Sequence, residues 1–381
     1  MLIMLHFLYH HKLLLIFLMI ALIFLIMVIF LEYYLFFCLL LIYMDYQELL
    51  PFFSPPDYYL QLLKTPNDTN YSSQSTVANQ IKLPQAWDIE TGRSSVRIGV
   101  VDTGIDGDHP DLINRVNTTH SEEYLLDDYN PLDDSNGHGT RVAGIIGAQG
   151  NNSKGIAGVA WNCNLVSLRA SLSIQGSISD FALAVQEAES KGISIINISA
   201  GSSSYNTNLY LAIQQFPGLV ICGAGNNDLD IDNNPIYPAA YNLSNIISVG
   251  SCGSNDTKSN SSNFGRNSVD IFAPGENIYS TNKNGGYNTE SGTSFAAPYV
   301  TGVAALILSE CPNVTAQIKY RILTYRDPVS SLGSRCVSGG RLNAYKAVSN
   351  AHSYQYTPKD ARQHTATCAC GKTTTQSHKF I

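Results

Sequence analysis

The 381-residue chain predicts an α/β fold, a mostly parallel sheet with helices on both faces. Three observations predict it. The runs VRIGVV (96–101), ISIINIS (193–199), LVICG (219–223) and IISVGS (246–251) are apolar almost without interruption. Strands that are apolar on both sides need cover on both sides, which parallel sheets receive. Segments with helical spacing separate several of these runs, as crossover connections require. Asp102 and Asn226 fall just after strand-like runs, where open parallel sheets place their sites.

Each element follows in chain order. VRIGVV is a buried strand that ends in Asp102 and a glycine turn. NGHGTRVAGIIG (136–147) sets His138 between glycines at the start of a helix-like segment. NLVSLRA (164–170) is the next strand, and SISDFALAVQEAESKG (177–192) has apolar positions at helical spacing and a glycine stop at Gly192. ISIINIS, LVICG, IISVGS and VDIFAP (269–274) follow as strands. GTSFAAPYVTGVAALIL (292–308) is a Gly-Thr-Ser turn running into a long apolar helix.

That last segment carries chemistry. Ser294 sits at a helix N-terminus, where free N–H groups and the helix dipole favour negative charge. Such a serine suits acyl transfer, in which an oxyanion forms beside the nucleophile. A hydroxyl needs a base, which His138 can supply, and a buried carboxylate such as Asp102 holds an imidazole in its working tautomer. Asn226 offers a side-chain amide that could donate to the oxyanion.

These motifs, in the order Asp, His, Ser, resemble the subtilisin-like serine proteases (subtilases), above all the thermitase-type bacterial members, over residues 67–350. The resemblance implies a three-layer architecture and a serine endopeptidase with Asp102, His138 and Ser294 as triad, Asn226 as oxyanion donor and polypeptides as substrates. It implies that Ser199, Ala200 and Gly201, in NISAG, pair with an extended substrate, with Gln175–Ser177 on its other side. It also implies that Ile236 forms the base of the main specificity pocket; ordinary packing is the other reading of that residue. A structural Ca²⁺ is implied at Asp68, Asp111 and Asn152, with carbonyls from Gly150, Lys154 and Ile156. Three residues depart from the family pattern: Arg141, Phe295 and Tyr299 stand where a His, a Met and a His are usual, and none is a triad position. A peptide-binding pseudoprotease tethered to a membrane is the alternative function, motivated by these departures and by the lack of an evident propeptide.

Thirty acidic residues against 23 basic ones give a net charge of −7. With no Lys/Arg cluster, this argues against a nucleic-acid partner. Residues 13–31 are unbroken apolar sequence, long enough to span a bilayer, and apolar character resumes up to Met44. Lys12 before the span and Asp45 after it point to a membrane anchor or uncleaved signal over 1–44, with the catalytic domain outside the cytoplasm, anchored or secreted. Residues 45–66 read as a Pro-containing linker and 351–381 as a flexible tail. Of eight cysteines, Cys311 and Cys336 are candidates for a bridge, while Cys163, Cys222 and Cys252 read as buried thiols.

Overall fold

The computed structural model describes residues 64–125, 130–173, 176–312, 314–350 and three strand segments beyond them. The expected anchor over 13–44 and most of the linker lie outside the described residues. Among the described residues no helix is long and apolar enough to cross a membrane.

The main sheet contains β1 (Arg97–Asp102), β2 (Glu122–Glu123), β3 (Asn164–Arg169), β4 (Ile195–Ile198), β5 (Leu219–Gly223), β6 (Ile246–Cys252) and β7 (Ile271–Pro274). A separate antiparallel pair, β8 (Ile278–Asn282) and β9 (Gly286–Glu290), follows. Two short strands, β10 (Asp327–Pro328) and β11 (Gly340–Arg341), complete the sheet in the order β10-β11-β7-β6-β5-β4-β1-β3-β2. Every pairing from β7 to β2 is parallel, and only β10–β11 is antiparallel.

Among the described residues the α-helices are α1 (Tyr71–Gln80), α2 (Leu83–Trp87), α3 (His138–Gly147), α4 (Ile178–Glu187), α5 (Thr207–Gln215), α6 (Thr293–Glu310), α7 (Thr315–Thr324) and α8 (Ala344–Ser349). They form the two outer layers. Ile98 and Val100 of β1, Ile195 of β4 and Ile221 of β5 join one core with α3 and α6. Val101, Ile196, Val220 and Cys222, pointing the other way, join a second core with α4 and α5. This period of two explains why the strands read as continuous apolar runs: both faces are buried.

α6 is the central helix, with all but one of its residues buried. Pro298 lies inside it. A proline has no N–H, so the carbonyl four residues earlier, that of Ser294, loses its helical donor. Ser199 Oγ takes the place of that donor, at 3.0 Å from Ser294 O.

Two expectations are corrected. Within 351–381, read as a flexible tail, β12 (Tyr354–Pro358), β13 (Gln363–Cys368) and β14 (Thr373–Ser377) form an antiparallel three-stranded sheet. Thr and Tyr favour strands, which the low apolar content of the segment concealed. Cys336 does not bridge to Cys311. Its Sγ lies near Leu332 O, Ser338 Oγ and Gly340 O, while Cys311 Sγ lies 3.6 Å from Cys368 Sγ. Spacing along the chain could not reveal that the C-terminal sheet returns to the end of α6. Cys163, Cys222 and Cys252 are buried, as expected of apolar strand environments.

Candidate active site

The strand ends converge at one cleft of about 550 Å³, lined by Asp102, His138, Ser199, Ala200, Gly201, Asn226, Ile236, Ser294 and Phe295 among others. Asp102 is the last residue of β1, Ser199 follows β4, and Asn226 follows β5. His138 opens α3, and Ser294 is the second residue of α6.

His138 Nδ1 lies 2.7 Å from Asp102 Oδ1, and Thr103 N donates to the same oxygen at 2.8 Å. A proton on Nδ1 then faces the carboxylate and leaves Nε2 as the proton acceptor. Burial pushes the His138 pKa down and Arg141 adds to that, but the charge and hydrogen bond of Asp102, with help from Asp134, outweigh both and leave it raised. Phe295 packs its ring on the imidazole, centroids 5.6 Å apart.

The Ser294 hydroxyl donates to Ser199 O at 3.2 Å, and among the described residues no hydrogen bond joins it to His138. The turn beneath it is braced by a buried chain: Thr301 Oγ1 donates to Asn197 Oδ1 (2.8 Å), and Asn197 Nδ2 donates to Ser199 Oγ (2.9 Å). Asn226 Oδ1 accepts from Thr293 N at 2.8 Å, which leaves its Nδ2 for the cleft beside Ser294.

Two supporting residues escape a reading of the sequence. Asp134, 3% exposed, accepts from Thr103 Oγ1, Gly137 N, Thr140 N and Thr140 Oγ1 at 2.7–2.9 Å, and so satisfies the N-terminus of α3 that presents His138. A carboxylate ahead of a helix start is the signal, here hidden in the run DDYNPLDD (127–134). Asn197 reads in the sequence only as part of a strand.

On the binding side, Ser202 and Tyr237 exchange backbone hydrogen bonds of 2.7 and 2.8 Å, which sets Gly201 beside Ile236. Ile236 is half-buried and lines the cleft. Gly176 and Ser177 are described, and Gly176 lines the cleft; Gln175 lies outside the described residues. A second cavity of about 250 Å³ shares Gly176, Phe181, Ala200 and Gly201 with the first and continues to Tyr241.

The expected calcium ligands also gather, away from the cleft. Asp111 is fully buried and Asp68 is 5% exposed. Burial and the neighbouring Asp111 charge push the Asp68 carboxyl up, against backbone N–H donors from Asn151 and Asn152. Asn152 Nδ2 donates to Asp111 Oδ1 at 3.1 Å while its Oδ1 accepts from Lys154 N; as a cation ligand the amide would turn its oxygen inward. Among the described residues nothing donates to the carbonyls of Gly150, Lys154 or Ile156. A Cβ on Gly155 would come within 2.2 Å of Asp111 Oδ2, so the loop closes tightly over the carboxylate. Among the described residues no three His, Cys, Asp or Glu side chains converge, but a hard cation takes amide and carbonyl oxygens as readily. Two buried carboxylates with free carbonyls fit such a cation.

Comparison with known proteins gives one consistent result. The subtilase family model matches residues 93–335. Thermitase of Thermoactinomyces vulgaris is 38% identical over 288 residues, 74% of this chain and 99% of that protein. The thermophilic serine proteinase of Bacillus sp. (strain AK1) is 37% identical over 300 residues, 78% of this chain and 72% of that protein. Among solved structures, a protease from Pseudoalteromonas arctica PAMC 21717 aligns with a TM-score of 0.68 at 28% identity, covering 76% of this chain and all of that one.

Proposed function

The chain belongs to the subtilase family and is a subtilisin-like serine endopeptidase, and we propose that it cleaves polypeptides through an acyl-enzyme with Ser294 as nucleophile, His138 as base and Asp102 as its orienting carboxylate. The observation that carries this reading is the 2.7 Å contact between Asp102 and His138 beside Ser294 in one cleft.

A peptide lies extended along Ser199–Gly201, its main chain adding a strand, with the side chain before the scissile bond toward Ile236. Ser294 Oγ leaves Ser199 O and attacks the carbonyl carbon while its proton passes to His138 Nε2. The carbonyl oxygen becomes an oxyanion that accepts from Asn226 Nδ2 and the Ser294 N–H. The tetrahedral species collapses, the C–N bond breaks, and His138 returns the proton to the leaving amine. Water then repeats the sequence on the ester, giving the acid and free Ser294. Asp102 stays ionised and balances the transient imidazolium.

Asp68, Asp111 and Asn152, with the carbonyls of Gly150, Lys154 and Ile156, would hold a structural Ca²⁺ that neutralises the two buried carboxylates and fixes the 150–156 loop. The peptidase domain is taken as residues 67–350, outside the cytoplasm, secreted or anchored through residues 13–44. Activated-ester hydrolysis tests the chemistry. The native chain should release a burst of one equivalent of leaving group per active site, and Ser294→Ala should release none. A burst that survives in Ser294→Ala would reassign the nucleophile.

A further inference from the structure

We infer that Asn263 is a positioning residue that fixes the loop carrying Asn226; the inference rests on reading Asn226 as the oxyanion donor. Asn263 is fully buried, and both its side-chain amide and its backbone N–H bond to one neighbouring loop. Its Oδ1 accepts from Asn227 N at 3.0 Å and from Leu229 N at 2.9 Å. Its Nδ2 donates to Ala224 O at 2.9 Å, and its backbone N donates to Gly225 O at 2.9 Å. These four bonds grip the residues on both sides of Asn226 and leave Asn226 itself untouched.

Other bonds hold the ends of the loop: Ala224 N donates to Val249 O at 2.9 Å, Asp228 N donates to Ser261 O at 2.8 Å, and Lys258 pairs with Asp228 at 2.6 Å. Asn226, Asn227 and Asp228 are exposed and contribute no apolar side chain to a core. From the side of the cleft, Thr293 closes the clamp: its Oγ1 accepts from Gly225 N at 3.1 Å, and its N donates to Asn226 Oδ1 at 2.8 Å. Asn226 is thus held by its neighbours from behind and by its own oxygen from the front, with Nδ2 left to work.

The residue type follows from the chemistry. One side chain must accept two N–H groups and donate to one carbonyl within a short arc, and a primary amide has both functions. An aspartate in its place would keep the acceptors but turn a carboxylate oxygen toward Ala224 O. Space is matched on the other side. Gly225 has φ +100°, and a Cβ there would lie 2.4 Å from Asn263 Nδ2, so loop and clamp can approach only with glycine at 225. An oxyanion donor works only when already aimed, and a misplacement of about 1 Å can cost on the order of 100-fold in rate.

A double-mutant cycle on the whole chain tests this, with kcat and KM for a peptide amide substrate normalised to the sites titrated by a fluorophosphonate. Asn226→Ala alone should lower kcat by about 10²–10³-fold, the range known for the corresponding donor in subtilisin. Asn263→Asp, which keeps the volume, and Asn263→Ala should each lower kcat roughly tenfold or more with KM within about twofold. In the Asn226→Ala background the Asn263 changes should cost less than about twofold more, since nothing is left to aim. Equal losses in both backgrounds would overturn the inference, because Asn263 would then act otherwise than through Asn226. An Asn226→Ala chain with native kcat would instead remove the oxyanion reading, and the positioning role with it.

Discussion

Shortening Ile236 should re-order the residues preferred before the cleaved bond. Its Cγ2 lies 2.8 Å from where a Cβ on Gly201 would stand and 3.6 Å from one on Gly225. The branched side chain therefore fills the gap between two glycine-lined walls of the cleft. Ile236→Ala removes three carbons from that gap. One methylene of fit in an apolar pocket is worth about 1–3 kcal/mol, or roughly 10–200-fold in kcat/KM. Native enzyme should favour Leu or Met, because the branched Ile236 takes up volume that a larger ring would need. Ionised side chains should be poor, since nothing at Ile236 pairs a buried charge. In Ile236→Ala, and more so in Ile236→Gly, the ratio of kcat/KM for a Phe substrate over its Leu counterpart should rise at least about tenfold. The assay is a pair of succinyl-Ala-Ala-Pro-X p-nitroanilides differing only in X, measured at substrate concentrations well below KM. A ratio unchanged within about twofold, with both variants titrating fully, would mean that Ile236 packs the loop and does not face substrate. A native preference for Arg or Lys would refute the apolar floor itself.

Three further outcomes are expected. His138→Ala should lower kcat by several orders of magnitude in peptide hydrolysis, as loss of one triad member does, and near-native turnover would end the assignment. Calcium at a hundredfold excess over its Kd should stabilise the native chain by about 2.7 kcal/mol, a rise in Tm of roughly 4–5 °C by calorimetry for a domain of this size. The combined Asn152→Ala and Asp111→Ala chain should show no difference with and without chelator, and an indifferent native Tm would remove the site. His138 acts as base only when neutral, and its raised pKa puts the acid limb of activity above that of an ordinary imidazole, near 6.5. Arg141 holds that pKa down, so Arg141→Gln should favour the imidazolium and move the limb to higher pH, and a limb that moves to lower pH would contradict the charge assignment.

What was legible in the sequence is what local pattern encodes. Strand β1 and helix α6 each place a candidate site residue at an end that composition alone marks: Asp102 where an apolar run meets glycine, Ser294 where a turn meets a long apolar helix. Two-sided burial announced the parallel sheet in the same way. What escaped depends on distant segments meeting. The bond of Ser199 to the Ser294 carbonyl needs both the Pro298 defect and the fold that brings β4 under α6. Asp134 looked like one of several loop acids, because nothing local separates the buried member from its neighbours. Asn263 lies in a polar stretch, SNSSNFG (259–265), that reads as an ordinary turn until the 224–229 loop is laid against it. Cys311 met Cys368 and not Cys336 because the strands after residue 353 return to the core, which a Thr-rich segment gave no reason to expect.

Fluorophosphonate labelling with peptide mapping settles whether Ser294 is an activated nucleophile. Native chain incubated with the probe should carry one phosphonyl group per molecule, on the peptide containing Ser294, and lose peptidase activity in proportion. Ser294→Ala should remain unlabelled, and His138→Ala should label orders of magnitude more slowly, because the hydroxyl would have lost its base. An unlabelled native chain that still binds peptides would contradict the catalytic reading and favour a peptide-binding protein built on the same cleft, and labelling at any other serine would contradict the assignment of Ser294.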